Sequence, residues 1–393
     1  MNRKEFIRNS ALFGLSIPIF STLLAGCQKN EALFQDIPND FDGKVLIIGA
    51  GAAGITAGYI LARQGIDFQI IEAAPQYGGR IKKIEGFADF PIDLGGEWIH
   101  TDPKILSTLI NDRTVDASIG IINYNPHDIY VYKNGRLVPR HFVNYFYAEH
   151  KFKDSTWFDF FDTYFVPKVR DQLILNSPVR HIDYSGDQVV VQTAQQTYTA
   201  DKVIVTVPIK ILQEGMIEFS PQLPSDFQEA LGSIDIPPIM KVFMEFSERF
   251  FPDIILLDGL FQQNDILYDA GFGKDTNSHV LGLFTVGDLP AELTQLSDEG
   301  LKTWLLNLLD DLFDGKASQT YIKHVVQDWN KEPFIRGSYS YFEGAYNRTI
   351  ETLRRPLGNK VYFAGEALTY SGHTATVHGA SQSAYEVIEE LLS

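Results

Sequence analysis

The sequence predicts an α/β protein with a Rossmann-like dinucleotide-binding unit, assembled from separated segments, and an inserted α+β unit. Three observations carry this. A continuous apolar run, Lys44 to Ile48, leads into a glycine-rich turn, a helical pattern and a second strand. Far downstream, Lys202 to Val207 reads as another buried strand after a hairpin. A last strand, from Val361, ends at an acid and is followed by a helix, Ser381 to Leu392. The 393 residues are 45% hydrophobic and 21% charged, a globular composition long enough for two or three domains.

At the N-terminus, Arg3, Lys4 and Arg8 precede an apolar run from Ala11 to Gly26. The run is short for a bilayer span and has the charge order of a secretory signal. Leu24-Ala25-Gly26-Cys27 resembles a bacterial lipobox. The resemblance implies cleavage before Cys27 and a diacylglycerol on its thiol. Residues 1–26 are then a signal peptide and 27–41 a lipidated tether. The protein is expected to be exported and held at a membrane, facing the periplasm or cell surface. Asn2-Arg3-Lys4-Glu5-Phe6-Ile7 also resembles a twin-arginine export signal, with Lys in place of the second Arg.

Cys27 is the sole cysteine, which excludes an internal disulfide and a thiolate zinc cluster. The histidines show no metal-ligand spacing, and no metal is expected. Formal net charge is −17. Residues 1–26 carry Arg3, Lys4 and Arg8 against Glu5, so the chain without them stands at −19. Such a surface repels phosphate backbones, and no nucleic acid is expected as a partner.

The turn Gly49-Ala50-Gly51-Ala52-Ala53-Gly54 joins the first strand to its helix, and Gly65 stops that helix. The second strand, Phe68 to Ile71, ends at Glu72. Strand, glycines, helix, strand and acid stand in dinucleotide-binding register. Gly49 permits the tight turn, Gly51 the approach of a pyrophosphate, and Gly54 the packing of helix on strand. Glu72 would accept hydrogen bonds from ribose hydroxyls. Gly78-Gly79-Arg80 offers further backbone approach and a cation for phosphate or flavin.

Then comes Asp93-Leu94-Gly95-Gly96-Glu97-Trp98-Ile99-His100. With these motifs in order, the chain resembles the flavin-containing amine oxidases, the monoamine and polyamine oxidase family, over residues 44 to 393. The resemblance implies the GR2-type flavin amine oxidase fold and FAD as cofactor. It places Gly49, Gly51, Ala53, Gly54, Glu72, Gly79, Arg80, Gly95, Gly96, Glu97 and Trp98 at the cofactor. The backbone of Val179 would contact the adenine. Gly365, Glu366, Thr376 and Val377 would approach the flavin and its ribityl phosphate. The implied cofactor-binding domain comprises 42–105, 172–215 and 355–393, and the substrate-binding domain 106–171 and 216–354. The first insertion is shorter than the family pattern, so helices that usually wall the substrate tunnel are expected to be missing.

Lys241 lies in the alternating strand Ile239 to Phe246. Composition alone reads it as a solvated edge lysine; the resemblance makes it the family lysine bonded through water to flavin N5. Trp329 matches a tryptophan beside the flavin, and Tyr339 one wall of an aromatic substrate sandwich whose other wall aligns with Thr376. Ser338 stands where monoamine oxidases carry the cysteine bonded to flavin, which implies noncovalent FAD. His100 matches a substrate-site histidine of several polyamine oxidases.

These residues imply hydride transfer from the carbon beside an amine nitrogen to flavin N5, with O2 or another electron acceptor completing the cycle. A polyamine or aralkyl amine is the expected substrate. Two alternatives stand beside this: a desaturase or dehydrogenase of the same superfold, and a non-catalytic FAD-binding lipoprotein. An amino-acid oxidase would need an arginine clamp that the 96–100 stretch does not offer.

Overall fold

The computed structural model describes residues 40–112, 114, 117–139, 149–257, 265–342 and 346–393. Cys27, the signal peptide and nearly all of the tether lie outside them. Among the described residues no helix is long and apolar enough to cross a membrane.

The first strand, Lys44–Ile48, sits in the middle of a five-stranded parallel sheet. Lys202–Val205 and Val361–Phe363 lie on one side of it, Asp67–Ile71 and Leu173–Ile174 on the other. A strand paired on both edges and covered on both faces must be apolar throughout, as Val45 to Ile48 is. Val45 and Ile47 face one core with the helices Ala52–Gln64 and Val377–Leu392. Leu46 and Ile48 face another, shared with the four-stranded sheet of Val179–Asp183, Val189–Thr193, Thr197–Ala200 and Glu218–Ser220.

The C-terminal helix begins at Val377, four residues before the expected start. Thr376 caps it, its hydroxyl accepting from the Gly379 N–H at 3.0 Å. His378 and Gly379 therefore belong to the first turn, although a histidine beside a glycine reads as loop.

The second large sheet has seven strands, in the order Tyr321–Asp328, Ile239–Phe246, His279–Val286, Ile266–Asp269, Ile254–Leu256, Ile129–Lys133 and Arg136–Pro139. The hairpin at its edge turns through Asn134 and Gly135, both at positive φ, as a two-residue turn requires. Alternation along Ile239–Phe246 sorts its side chains. Met240, Val242, Met244 and Phe246 pack under the helix Asp298–Leu312, against Leu301, Leu305 and Leu309. Ile239, Lys241 and Phe243 take the opposite face, turned to the 92–98 segment.

The domain division read from sequence is corrected in two places. Residues 106–171, expected in the substrate unit, divide: the hairpin of Ile129–Lys133 and Arg136–Pro139 does lie in the seven-stranded sheet. Leu106, Leu109 and Ile110, and the aromatic run Trp157, Phe160, Phe161 and Phe165, instead bury in the core of the five-stranded sheet. The hydroxyls of Tyr59 and Tyr385 fix the Ile105–Ile110 helix there, donating to the Ile110 and Leu109 carbonyls at 2.8 and 2.7 Å. The strand Glu218–Ser220, past the boundary set at 215, pairs with Val179–Asp183 of the cofactor side.

Candidate active site

Where the two sheets meet, a single cavity of about 1690 Å³, its open mouth included, is lined by residues from both. All the expected site residues except Gly54 line it: Gly49, Gly51, Ala53, Glu72, Gly79, Arg80, Gly95 to Trp98, His100, Val179, Lys241, Trp329, Tyr339, Gly365, Glu366, Thr376 and Val377. Gly54 lies behind the turn. A Cβ there would stand 2.0 Å from the Gly49 carbonyl oxygen, so it serves the packing of helix on strand.

Gly51 closes the helix start without a side-chain cap, leaving the first-turn N–H groups open to an anion. Glu72 ends the second strand, buried. Its two oxygens accept from the N–H groups of Ala50 at 2.6 Å and Ala74 at 2.8 Å. Burial lifts its carboxyl above the ordinary carboxylate value, against the pull of these backbone bonds.

Arg80 and Glu366 meet each other. The guanidinium donates to Glu366 Oε1 at 3.0 Å and to the Ser338 carbonyl at 2.8 Å. Glu366 also accepts from the Ser340 hydroxyl at 2.6 Å and the Ala375 N–H at 3.1 Å. This network ties the loop before the C-terminal helix to the 78–80 turn and the 338–340 segment.

Lys241 is not an edge residue. Its strand is paired on both sides, with His279–Val286 and Tyr321–Asp328, and the side chain is only 1% exposed. Nζ donates to Glu97 Oε2 at 2.7 Å and to the carbonyls of Gly95 and Asp93 at 2.8 and 3.2 Å. Gly95 admits this fold of the chain because a Cβ there would meet the Arg80 carbonyl oxygen at 1.8 Å. Burial pushes the Glu97 carboxyl up, but the ammonium groups of Lys151 and Lys241 outweigh it and hold the group down at about 2. Asp93, fully buried beside Glu97, is pushed well above its ordinary value by that burial and by the Glu97 charge.

Trp329 is buried and donates from Nε1 to the Leu94 carbonyl at 3.1 Å, fixing its ring against the glycine segment. Trp98 packs on Tyr268, ring centroids 5.1 Å apart, and on Phe284. His100 Nδ1 lies 2.7 Å from Glu149 Oε2. The rings of His373 and His378 are edge to face at 4.8 Å. Burial holds His378 well below the ordinary imidazole value, with His373 and His100 adding to it. The hydroxyl of Thr376 donates to the His373 carbonyl as well as capping the helix. Sequence reasoning missed Glu149, Lys151, Tyr268 and the apolar lining of Ile239, Phe284, Phe334 and Ile335. Glu149-His150-Lys151-Phe152 carries three polar residues in a row, so no local pattern marks the first two.

The class this fold and cavity define is that of the flavin-dependent amine-oxidising enzymes. The chain matches the family described as flavin containing amine oxidoreductase over residues 52–154 and 162–392, and it belongs to that family. It is 26% identical to human lysine-specific histone demethylase 2 over 88% of its own length and 53% of that protein's. It thus spans about half the length of that relative. It is 25% identical to polyamine oxidase 1 of Zea mays over 89% of this chain and 90% of the relative. Cyclohexylamine oxidase from Brevibacterium oxydans IH-35A has a similar fold, with a TM-score of 0.76 at 17% identity over 90% of this chain and 99% of that one. Putrescine oxidase bound to putrescine gives 0.74 at 16%, over 89% and 99%.

The cofactor of this family is FAD, and the residues present fit it. The uncapped helix start and the side-chain-free Gly51 and Gly365 leave room for phosphate and backbone approach. At neither glycine would a Cβ meet an atom closer than 4.0 Å. Glu72 stands at the ribose position of the fold.

Proposed function

We propose that the protein is an FAD-dependent amine oxidase. It oxidises a primary or secondary amine, polyamine or aralkyl, to an imine, with O2 as acceptor and hydrogen peroxide as product. The observation that carries this reading is Lys241, buried on the inner face of the seven-stranded sheet and lining the same cavity as the dinucleotide turn. Gly49, Gly51, Ala53, Glu72, Gly79, Arg80 and Val179 would hold the adenosine and pyrophosphate. Gly95 to Trp98, Gly365, Glu366, Thr376 and Val377 would hold the flavin half.

Bound FAD supplies the acceptor for the hydride leaving the carbon beside nitrogen. The chain's residues do the rest. Ile239, Phe284, Trp329, Phe334 and Ile335 exclude water and disfavour a charged amine. Tyr339 offers an aromatic face; burial, with Glu366 nearby, raises its hydroxyl and keeps it a neutral phenol. Lys241 holds a fixed ammonium at the cavity wall. Ser338, with no thiol to join to flavin, leaves the cofactor noncovalent. His100 faces the substrate. Cys27 carries the lipid that anchors the enzyme at the membrane after export.

The experiment is anaerobic mixing with a panel of amines, followed by flavin bleaching. Polyamines or aralkyl amines should bleach it, and the rate should rise with pH as the reacting nitrogen loses its proton. Bleaching by nitrogen-free apolar compounds alone would make the protein a desaturase. Faster bleaching by amino acids would overturn the substrate assignment. Bound FAD that nothing reduces would leave a cofactor-binding lipoprotein.

A further inference from the structure

We propose that Lys151 is a positioning residue for this reaction: seated among the rings of Trp98, Tyr124 and Tyr268, it fixes Glu97 as the bridge that holds the Lys241 ammonium in place. The proposal rests on the amine-oxidase reading only for the role of Lys241.

The argument begins with a short strand. Glu149–Phe152 pairs with Ile121–Tyr124 along one edge. On its other edge His150 exchanges both backbone hydrogen bonds with Ile99, at 2.8 and 3.1 Å. The strand is therefore fastened to the segment that carries Glu97 and His100. Strand alternation sends Glu149 and Lys151 to the same side. Glu149 meets His100, and Lys151 Nζ lies 2.6 Å from Glu97 Oε1. The opposite oxygen, Oε2, takes the Lys241 ammonium at 2.7 Å and the Tyr268 hydroxyl at 2.6 Å. One carboxylate thus joins two buried lysines.

Lys151 stands 5.6, 5.2 and 5.4 Å from the ring centroids of Trp98, Tyr124 and Tyr268. Aromatic faces attract a desolvated cation, so the three rings seat the Lys151 head beside Glu97. The titratable groups facing Glu97 are Lys151, Lys241, Tyr268, Asp93 and Tyr124, with Lys274 beyond. Burial opposes ionisation of Glu97, and Lys151 leads the groups that restore it. Without Lys151 only Lys241 is left to oppose the burial of Glu97, and its carboxyl rises toward protonation. Lys241 then loses the one carboxylate it pairs with among the described residues.

The test uses holoprotein without substrate, so it reads out whether or not any amine is oxidised. The visible absorbance of oxidised FAD is followed from pH 5 to 9 in wild type, Lys151→Arg, Lys151→Met, Lys151→Gln and the double variant Lys151→Met/Glu97→Gln. Wild type and Lys151→Arg should be flat. Met and Gln should each show one inflection between about pH 5 and 8, an upward displacement of at least about 3 units. The double variant should lose it, because the titrating group is gone. Lowered melting temperature with a flat titration in Met and Gln would make Lys151 a packing residue and overturn the proposal. So would an inflection that survives in the double variant. If neither neutral variant folds, Lys151→Arg decides: folded and flat supports the need for charge, and failure to fold or an inflection refutes it.

Discussion

Replacing Lys241 by Met removes an ammonium and keeps most of its volume. Three acceptors lose the Lys241 donor: Glu97 Oε2 and the carbonyls of Gly95 and Asp93. In the wild type, Glu97 is held at about 2 against an ordinary value of 4.5. A carboxyl depressed by that much contributes about 3 kcal/mol to folding. The contribution is complete above the ordinary value and is lost as pH falls through about 2. Breaking a buried pair usually costs about 3–5 kcal/mol. Here Glu97 keeps Lys151 and the Tyr268 hydroxyl, so the loss should fall at or below the low end of that range, about 2–3 kcal/mol. Urea unfolding at pH 7 in excess FAD, which holds cofactor occupancy fixed, measures it. FAD should remain bound, and anaerobic flavin reduction should slow at least about tenfold, equivalent to about 1.4 kcal/mol in the transition state. Wild-type stability together with unchanged rates in both half-reactions would refute the placement of a charged Lys241 at the reacting centre.

Glu72→Ala should weaken FAD binding by about 1–3 kcal/mol, since a ribose loses its acceptor and the Ala50 and Ala74 N–H groups lose theirs; a flavin titration of apoprotein measures it, and unchanged affinity would remove Glu72 from the ribose. Acid precipitation should release all the yellow colour, because Ser338 forms no thioether; colour in the pellet would contradict noncovalent FAD. Cys27→Ser should abolish incorporation of labelled fatty acid, and a wild type that takes up none would end the lipoprotein assignment. His100→Ala should raise the Michaelis constant for a polyamine more than for an aralkyl monoamine, and equal changes would place His100 away from the distal amine.

The elements legible in the sequence were those specified locally. Val45 to Ile48 could only be a strand buried on both faces, and Gly49 to Gly54 followed by Glu72 could only be that strand's turn and its acid. Lys241 was harder. Alternation put it on a face with Phe243, but two neighbouring strands bury it, and those lie some 40 and 80 residues away in sequence. Lys151 was invisible for the same reason. Glu149-His150-Lys151-Phe152 looks like a solvated strand until its partners, Glu97 and His100, arrive from another segment. Chain order does not reveal the place of the helix Trp157–Tyr164, because burial decides it. Its aromatics pack back on the first sheet.

The same electrostatic arrangement constrains where a substrate's proton can go. Three carboxylates line the cavity among the described residues: Glu72, Glu97 and Glu366. Glu97 is clamped by two ammonium groups near a value of 2, far too weak a base to take a proton at neutral pH. Glu366 is occupied by Arg80, the Ser340 hydroxyl and the Ala375 N–H. Glu72 belongs to the ribose end and is already engaged by two backbone donors. An amine attracted as a cation by a surface of net charge −17 therefore finds none of these carboxylates free to take its proton, and releases it to water as it enters the apolar cavity. It follows that the acid limb of flavin reduction should track the substrate rather than the enzyme. Changing from a strongly to a weakly basic amine should move the limb to lower pH by the difference in the amines' own values.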